Sequence, residues 1–188
     1  MVKKLFQIGW LAAIAAALSL AACSSPAAKA TATAQAEKVQ EAAMLKAQTD
    51  QAASNKQVVQ TFLGLFMSGN WETFDTVITT DCVLHEPGGI DIAGLEAMKA
   101  LWQVAYAPLK DMRATTIAET SEGEFYTGFY AMEATYEGEY MGQQIAGVPI
   151  QFNQAETMRI VDGKIVEWWV GFDRLWMSEQ LGFELQAK

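Results

Sequence analysis

The chain carries one histidine, His85, and two cysteines, Cys23 and Cys82. That inventory is too small for a zinc or iron site built from imidazole and thiolate ligands. A Ser-His-Asp arrangement and a phosphate-cradling glycine loop are also missing from the sequence. What the residues permit is proton transfer by carboxylates and one imidazole, with no cofactor and no metal. Asp173 closes an apolar and aromatic run that begins at Lys164, and Trp169 stands four residues before it. A carboxylate works as general acid and base near neutral pH only when its pKa is raised, and burial among aromatic groups does that. His85 could hold a carbonyl or enolate oxygen by a hydrogen bond, or tune an acid; the alternative is a satisfied histidine at a strand end. Glu167 could orient a neighbour or be a surface carboxylate. Arg159 could meet an anionic group or pair with a strand neighbour. Glu86, before Pro87, reads as a solvated loop residue. Trp169, Trp102, Phe129, Tyr130 and Met132 are candidates for a cavity wall, which core packing explains equally well. Cys82 reads as a small buried apolar residue.

These side chains need a scaffold, and the hydrophobic periodicity supplies one. Val58, Val59, Phe62, Leu63 and Phe66 recur at helical spacing until Gly69-Asn70. A short helix follows from Trp71 to about Ile78, then a strand at Asp81–His85 stopped by Pro87-Gly88-Gly89. A third helix spans about Ile92 to Ala107 and ends at Pro108. The texture then turns to strand: Met112–Thr120, Glu124–Glu137, Val148–Val161 and Lys164–Asp173, with a glycine-bearing loop from Gly138 to Gly147. Asp162-Gly163 is the strongest hairpin signal, because both turn positions require positive φ. Arg174–Leu181 reads as a terminal helical turn. Helices followed by antiparallel strands argue for an α+β domain. Parity along the last strand puts Val166, Trp168, Val170 and Phe172 on the core side and Asp173 toward water.

The N-terminus has its own grammar. Lys3 and Lys4 precede a nearly unbroken apolar stretch from Leu5 to Ala22, ending Leu20-Ala21-Ala22-Cys23. This reads as a signal peptide over residues 1–22, and it resembles the lipobox of bacterial lipoproteins, which implies lipidation at Cys23; an uncleaved membrane anchor is the alternative. Residues 23–53, rich in Ala, Gln, Lys and Glu, read as a tether, helical from about Gln35. By resemblance to enterobacterial lipoproteins, Ser24 after the cysteine implies an outer-membrane anchor facing the periplasm, in the cell envelope. The formal charge of −9 and the lack of a basic stripe argue against a nucleic-acid partner.

Residues 54–188 form the domain, and several of its runs resemble one family. Phe62-Leu63-Gly64-Leu65-Phe66 through Trp71, Asp81-Cys82-Val83-Leu84-His85-Glu86-Pro87, Gly138–Pro149 and Met158–Trp169, followed by Asp173 and Gln180-Leu181-Gly182, are together similar to the SnoaL-like polyketide cyclases of the nuclear transport factor 2-like superfamily. The resemblance implies a cone-shaped, strongly bent antiparallel sheet with three N-terminal helices packed on its concave face. It implies Asp173 as general acid and base and His85 beside it, with Asp173 turned into the cone against the parity reading. It implies a homodimer and a cofactor-free cyclase or isomerase acting on a small apolar carbonyl compound. An exported, tethered member departs from the usual cytosolic setting. A non-catalytic binding module for a hydrophobic ligand or an envelope partner is therefore the alternative.

Overall fold

A computed structural model describes residues 26–184; the signal segment and Cys23 lie outside the described residues. The chain divides into two compact units, Met1–Ala47 and Gln48–Lys188. Helix α1 (Pro26–Met67) begins in the first unit and ends in the second. It starts well before the Gln35 expected from composition, as its Ala, Gln, Lys and Glu content allows. No helix among the described residues is long and apolar enough to cross a membrane.

In the second unit the chain continues as a 3-10 helix (Trp71–Thr76), β1 (Ile78–Glu86), β2 (Ile90–Ala93), α2 (Leu95–Ala105), β3 (Leu109–Glu122), β4 (Phe125–Tyr140), β5 (Gln143–Val161), β6 (Lys164–Phe172) and α3 (Arg174–Gln180). This is the expected α+β architecture. The sheet is open, in the order β2-β1-β6-β5-β4-β3. Its pairings are antiparallel except for β1 and β6, which run parallel, with His85 opposite Trp169. Three details differ from the sequence reading. Ile90–Ala93 is a strand and not the start of a helix, because it completes a hairpin with β1. The Gly138–Gly147 loop shrinks to a turn at Met141-Gly142, since β4 and β5 pair out to Tyr140 and Gln143. A register shift on β6 between Ile165 and Glu167 puts Ile165 and Trp168 on the same buried side; a bulge of this kind resets parity. At the expected hairpin, Asp162 and Gly163 do take positive φ, 51° and 76°.

The helices cover one face of the sheet. Phe62 of α1 and Trp102 of α2 meet Trp168 of β6, and Phe66 of α1 and Phe74 of the 3-10 helix pack on Phe62 and Trp102 in the same cluster. The Phe62 ring lies 5.0 Å from Trp168 in an edge contact and 5.7 Å from each of Phe66 and Phe74. A second cluster, centred on Tyr130, Met132, Ile150 and Phe152, forms along β4 and β5. Truncating Phe62 would empty the junction of all three helices. Phe62→Ala is expected to lower stability by about 3–5 kcal/mol, read as a shifted midpoint in urea unfolding of the domain.

Candidate functional site

A cavity of about 300 Å³ opens beside the second cluster. Its walls are mainly apolar: Ile92 of β2, Leu101 and Trp102 of α2, Phe152 of β5, Phe172 of β6 and Met177 of α3 contribute. Polar groups on its lining include Glu86, Gln154 and Arg174. A concave apolar space with few polar groups is the usual form of a small-molecule site.

Glu86 and Arg174 belong together. Arg174 Nη2 donates to Glu86 Oε2 at 3.3 Å, and its guanidinium lies 5.1 Å from the Phe172 ring centre. The Glu86 side chain is only 15% exposed, so it is not the solvated loop residue the sequence suggested; the register of β1 carries it to the cavity. Burial raises its pKa, and Arg174 pulls it back down. Helix α3 is pinned over this region by side chains. The Asp173 carboxylate accepts from Trp176 N at 2.9 Å as its N-cap. Tyr140 Oη and Ser178 Oγ are 2.6 Å apart. The Gln180 amide exchanges two hydrogen bonds with the Gln151 backbone, at 2.8 and 2.7 Å.

A second, smaller space of about 20 Å³ shares Tyr106 and Gln154 with the first. Glu156 lies there, 2% exposed, beside Tyr130 and Trp168. Gln154 Nε2 donates to its Oε2 at 3.3 Å. Oε1 of Glu156 and Nε1 of Trp168 are buried without a closed hydrogen bond, in a space large enough for one water molecule. Desolvation pushes the Glu156 carboxyl up to about 7, against the opposing pull of Gln154, Tyr130 and Trp168. A carboxyl raised to about 7 in a small space next to an apolar cavity has the property required of a general acid and base.

The residues singled out from sequence are distributed differently. Asp173 is exposed and engaged as a helix cap. The chain leaves β6 at Phe172 and turns into α3, so this carboxylate faces the backbone N–H groups of the helix instead of the cone. Asp173 lies beyond the end of β6, so strand parity does not decide its direction, and it is on the lining of neither space. His85 Nδ1 lies 2.7 Å from Asp91 and Nε2 lies 3.2 Å from Glu167, and the ring stacks on Trp169 at 5.0 Å. The Asp91 hydrogen bond is the main cause of a raised His85 pKa. Arg159 Nε donates to Glu167 at 3.1 Å and its Nη1 lies 3.6 Å from Glu124, which is the strand-neighbour pairing left open above. Thus His85, Glu167, Arg159 and Trp169 meet one another, apart from the residues that line the 300 Å³ cavity. Phe129 is 38% exposed, opposite in parity to buried Tyr130 on β4, so it lines neither space. Trp102 lines the large cavity and is also core. Cys82 is buried, its thiol pushed up to about 12 by desolvation, which leaves it inert. No group of His, Cys, Asp and Glu among the described residues could hold a metal ion.

Glu156 itself went unnoticed in the sequence, although a signal was there. Ile150, Phe152, Met158 and Ile160 alternate along β5, and Gln154 and Glu156 occupy the same parity. Two polar residues on a core face require partners.

Comparison with known proteins fits this geometry. The sequence model described as SnoaL-like polyketide cyclase matches residues 56–181. IdmH from Streptomyces antibioticus, a candidate polyketide cyclase, is 28% identical, with a TM-score of 0.63 over 69% of this chain and 99% of its own. A SnoaL-like polyketide cyclase candidate from Jannaschia sp. CCS1 gives a TM-score of 0.65 at 14% identity, over 71% of this chain and 95% of its own. AclR from Streptomyces galilaeus, a candidate hydroxylase, gives 0.63 at 21% identity, over 70% and 97%. At those identities the last two show the shared fold alone. A search of curated proteins finds no match.

Two predictions separate the two acids. Asp173→Ala should cost about 1 kcal/mol through loss of the cap, while Asp173→Asn, also a good cap, should change stability by only a few tenths; thermal unfolding of both variants checks this. Glu156 keeps its proton in the folded state up to about pH 7, whereas the unfolded chain loses it near 4.5. Stability therefore falls as pH rises across that window, by about 3 kcal/mol once complete. Glu156→Gln should be more stable than the parent at pH 8 and show no such gain at pH 4.

Proposed function

Because the chain belongs to the SnoaL-like polyketide cyclase family, we propose that it is a cofactor-independent cyclase or isomerase acting on a small apolar carbonyl compound, with Glu156 as its general acid and base. The observation that carries this reading is a buried carboxyl raised to about 7 in a small space that shares Gln154 and Tyr106 with the lining of the large apolar cavity. The ionised carboxylate removes a proton from carbon next to a carbonyl. The resulting carbanion attacks a second carbonyl carbon within the same molecule, or is reprotonated at a different carbon. In either case the proton held by Glu156 returns to the product, so no oxidant or reductant is consumed. The apolar walls exclude water, which would otherwise quench the carbanion. Arg174, paired with Glu86 on the cavity lining, is the cationic group available to an acyl or carboxylate end of the substrate. In this reading Asp173 is a positioning residue: it caps the helix that presents Arg174 and Met177 to the cavity.

The N-terminal segment supports a location for this chemistry. The lipobox ending at Cys23 favours an exported lipoprotein held in the cell envelope, on the periplasmic face of an outer membrane. The exposed Phe125 and Phe129 favour a homodimer joined through that side of the sheet. Labelling with a radioactive fatty acid should be lost in Cys23→Ser.

A second reading is a binding module that holds an apolar molecule without transforming it; the export signal favours it, because an envelope protein has no assembly line at hand. Proton exchange decides between the two. On a panel of aryl β-keto esters in D2O, the parent domain should speed α-proton exchange, and the rate should climb with pH through about 7 as Glu156 ionises. Glu156→Gln should lose about 100-fold or more, and Asp173→Asn should retain most of the rate. Saturable binding of the panel with no accelerated exchange would leave the binding module standing.

A further inference from the structure

Glu156 is 2% exposed and sits in a space large enough for about one water, so its proton needs a path to bulk solvent even in the free protein. Such a path exists. Lys56 Nζ lies 2.9 Å from Glu119 Oε1 at the surface. Tyr126 Oη donates to Glu119 Oε2 at 2.8 Å, and Tyr126 Oη and Tyr130 Oη are 2.8 Å apart. Tyr130 borders the same water-sized space as Glu156. We propose that Tyr130, Tyr126 and Glu119 form a proton wire that connects Glu156 to solvent at the Lys56–Glu119 pair, and that Gly128 is the residue that makes the wire possible.

The role of Gly128 is geometric. Tyr126, Gly128 and Tyr130 share the inward face of β4. Side chains at i, i+2 and i+4 share one face of a strand, so the side chain at i+2 normally stands between those at i and i+4. Here the two rings lean toward each other over Gly128, and a Cβ at that position would overlap the Tyr130 hydroxyl. A side chain at position 128 would displace the Tyr130 ring and break the 2.8 Å contact between the hydroxyls.

Proton counting gives the wire a direction. Tyr126 spends its hydrogen on Glu119, so the bond between the tyrosines uses the hydrogen of Tyr130, and Tyr126 accepts. The Tyr130 oxygen then has only lone pairs to offer toward Glu156. A protonated Glu156 can donate to it, directly or through one water; once the proton has left, the hydrogen that Tyr130 received from Glu156 points back at the carboxylate, which is the pull that opposes desolvation. Lys56 holds Glu119 in its charged form, so the resting proton belongs on Glu156. For release, Glu156 passes its proton to Tyr130, Tyr130 passes its own to Tyr126, and Tyr126 passes its own to Glu119, which gives it to water. Each oxygen that loses a hydrogen gains one, no electrons change hands, and reloading runs the same steps backward.

This wire serves the acid-base role proposed for Glu156, but it can be tested without any substrate. The probe is the carbonyl stretch of the protonated Glu156 carboxyl, assigned by its disappearance in Glu156→Gln and followed by infrared spectroscopy at pH 5.5 after rapid transfer into D2O. Tyr126 lines neither cavity, so Tyr126→Phe removes one link and leaves the site intact. Deuteration of the Glu156 band is expected to slow at least tenfold in Tyr126→Phe, with the band itself still present. Glu119→Gln, which cannot accept and release the proton, should slow it similarly and stands in if Tyr126→Phe fails to fold. An unchanged exchange rate in a folded variant overturns the wire. Slowed exchange in a protein that never accelerates proton exchange on a keto ester keeps the wire and removes the enzyme reading.

Discussion

Burying a carboxyl group among phenyl and indole rings is costly unless it finds partners, and the neighbours of Glu156 are arranged around that constraint. Glu156 could be a leucine as far as the pattern of β5 is concerned. As a glutamate it needs polar company in a region built from Phe62, Phe66, Met132 and Trp168. Gln154 on its own strand, Tyr130 on β4 and Trp168 on β6 each bring one polar group to the same point. The company is incomplete, since one carboxyl oxygen and the Trp168 N–H lack closed hydrogen bonds. Incomplete solvation keeps the group near neutrality; a fully satisfied carboxylate would be a poor base.

The two sides of the sheet solve different electrostatic problems. On the side of the cavities, few polar groups are held in low-dielectric surroundings, where each counts for a great deal. On the side where His85, Asp91, Glu167 and Arg159 meet, charges are plentiful and partly solvated. Glu167 is held below the usual carboxylate range by His85 and Arg159, yet partly exposed pairs of this kind contribute little to stability. The histidine that looked chemically promising thus belongs to a network that is already satisfied.

Much of the fold was legible because it depends on local rules. Positive φ at Asp162 and Gly163, the apolar stripe of α1 and the alternation of β4 are each set within a few residues. The candidate site was less legible, for reasons that particular residues illustrate. Asp173 was assigned to the cone from a family likeness, while the end of β6 and the need of α3 for a cap decide where it points. Glu86 looked solvated because Pro87-Gly88-Gly89 follows it; whether a strand-end side chain meets water or an arginine from 88 residues away is a tertiary fact. Glu156 broke the apolar alternation of β5 in plain view. A polar residue in a core register is a stronger pointer to function than a polar residue where polar residues are expected.

The parallel pairing of β1 with β6 has a consequence for how the domain comes into being. His85 and Trp169 are adjacent in the finished sheet but far apart along the chain, and β6 also supplies Trp168, against which Phe62 and Trp102 pack. Until the last strand has been made, the helices have no floor to rest on, and their aromatic faces stay in water. Contacts of such long sequence separation are formed late and slowly. While the chain is being made, the aromatic faces of the helices have no cover until β6 is available, and the cavity, walled in part by Phe172 of β6 and Met177 of α3, takes shape only then.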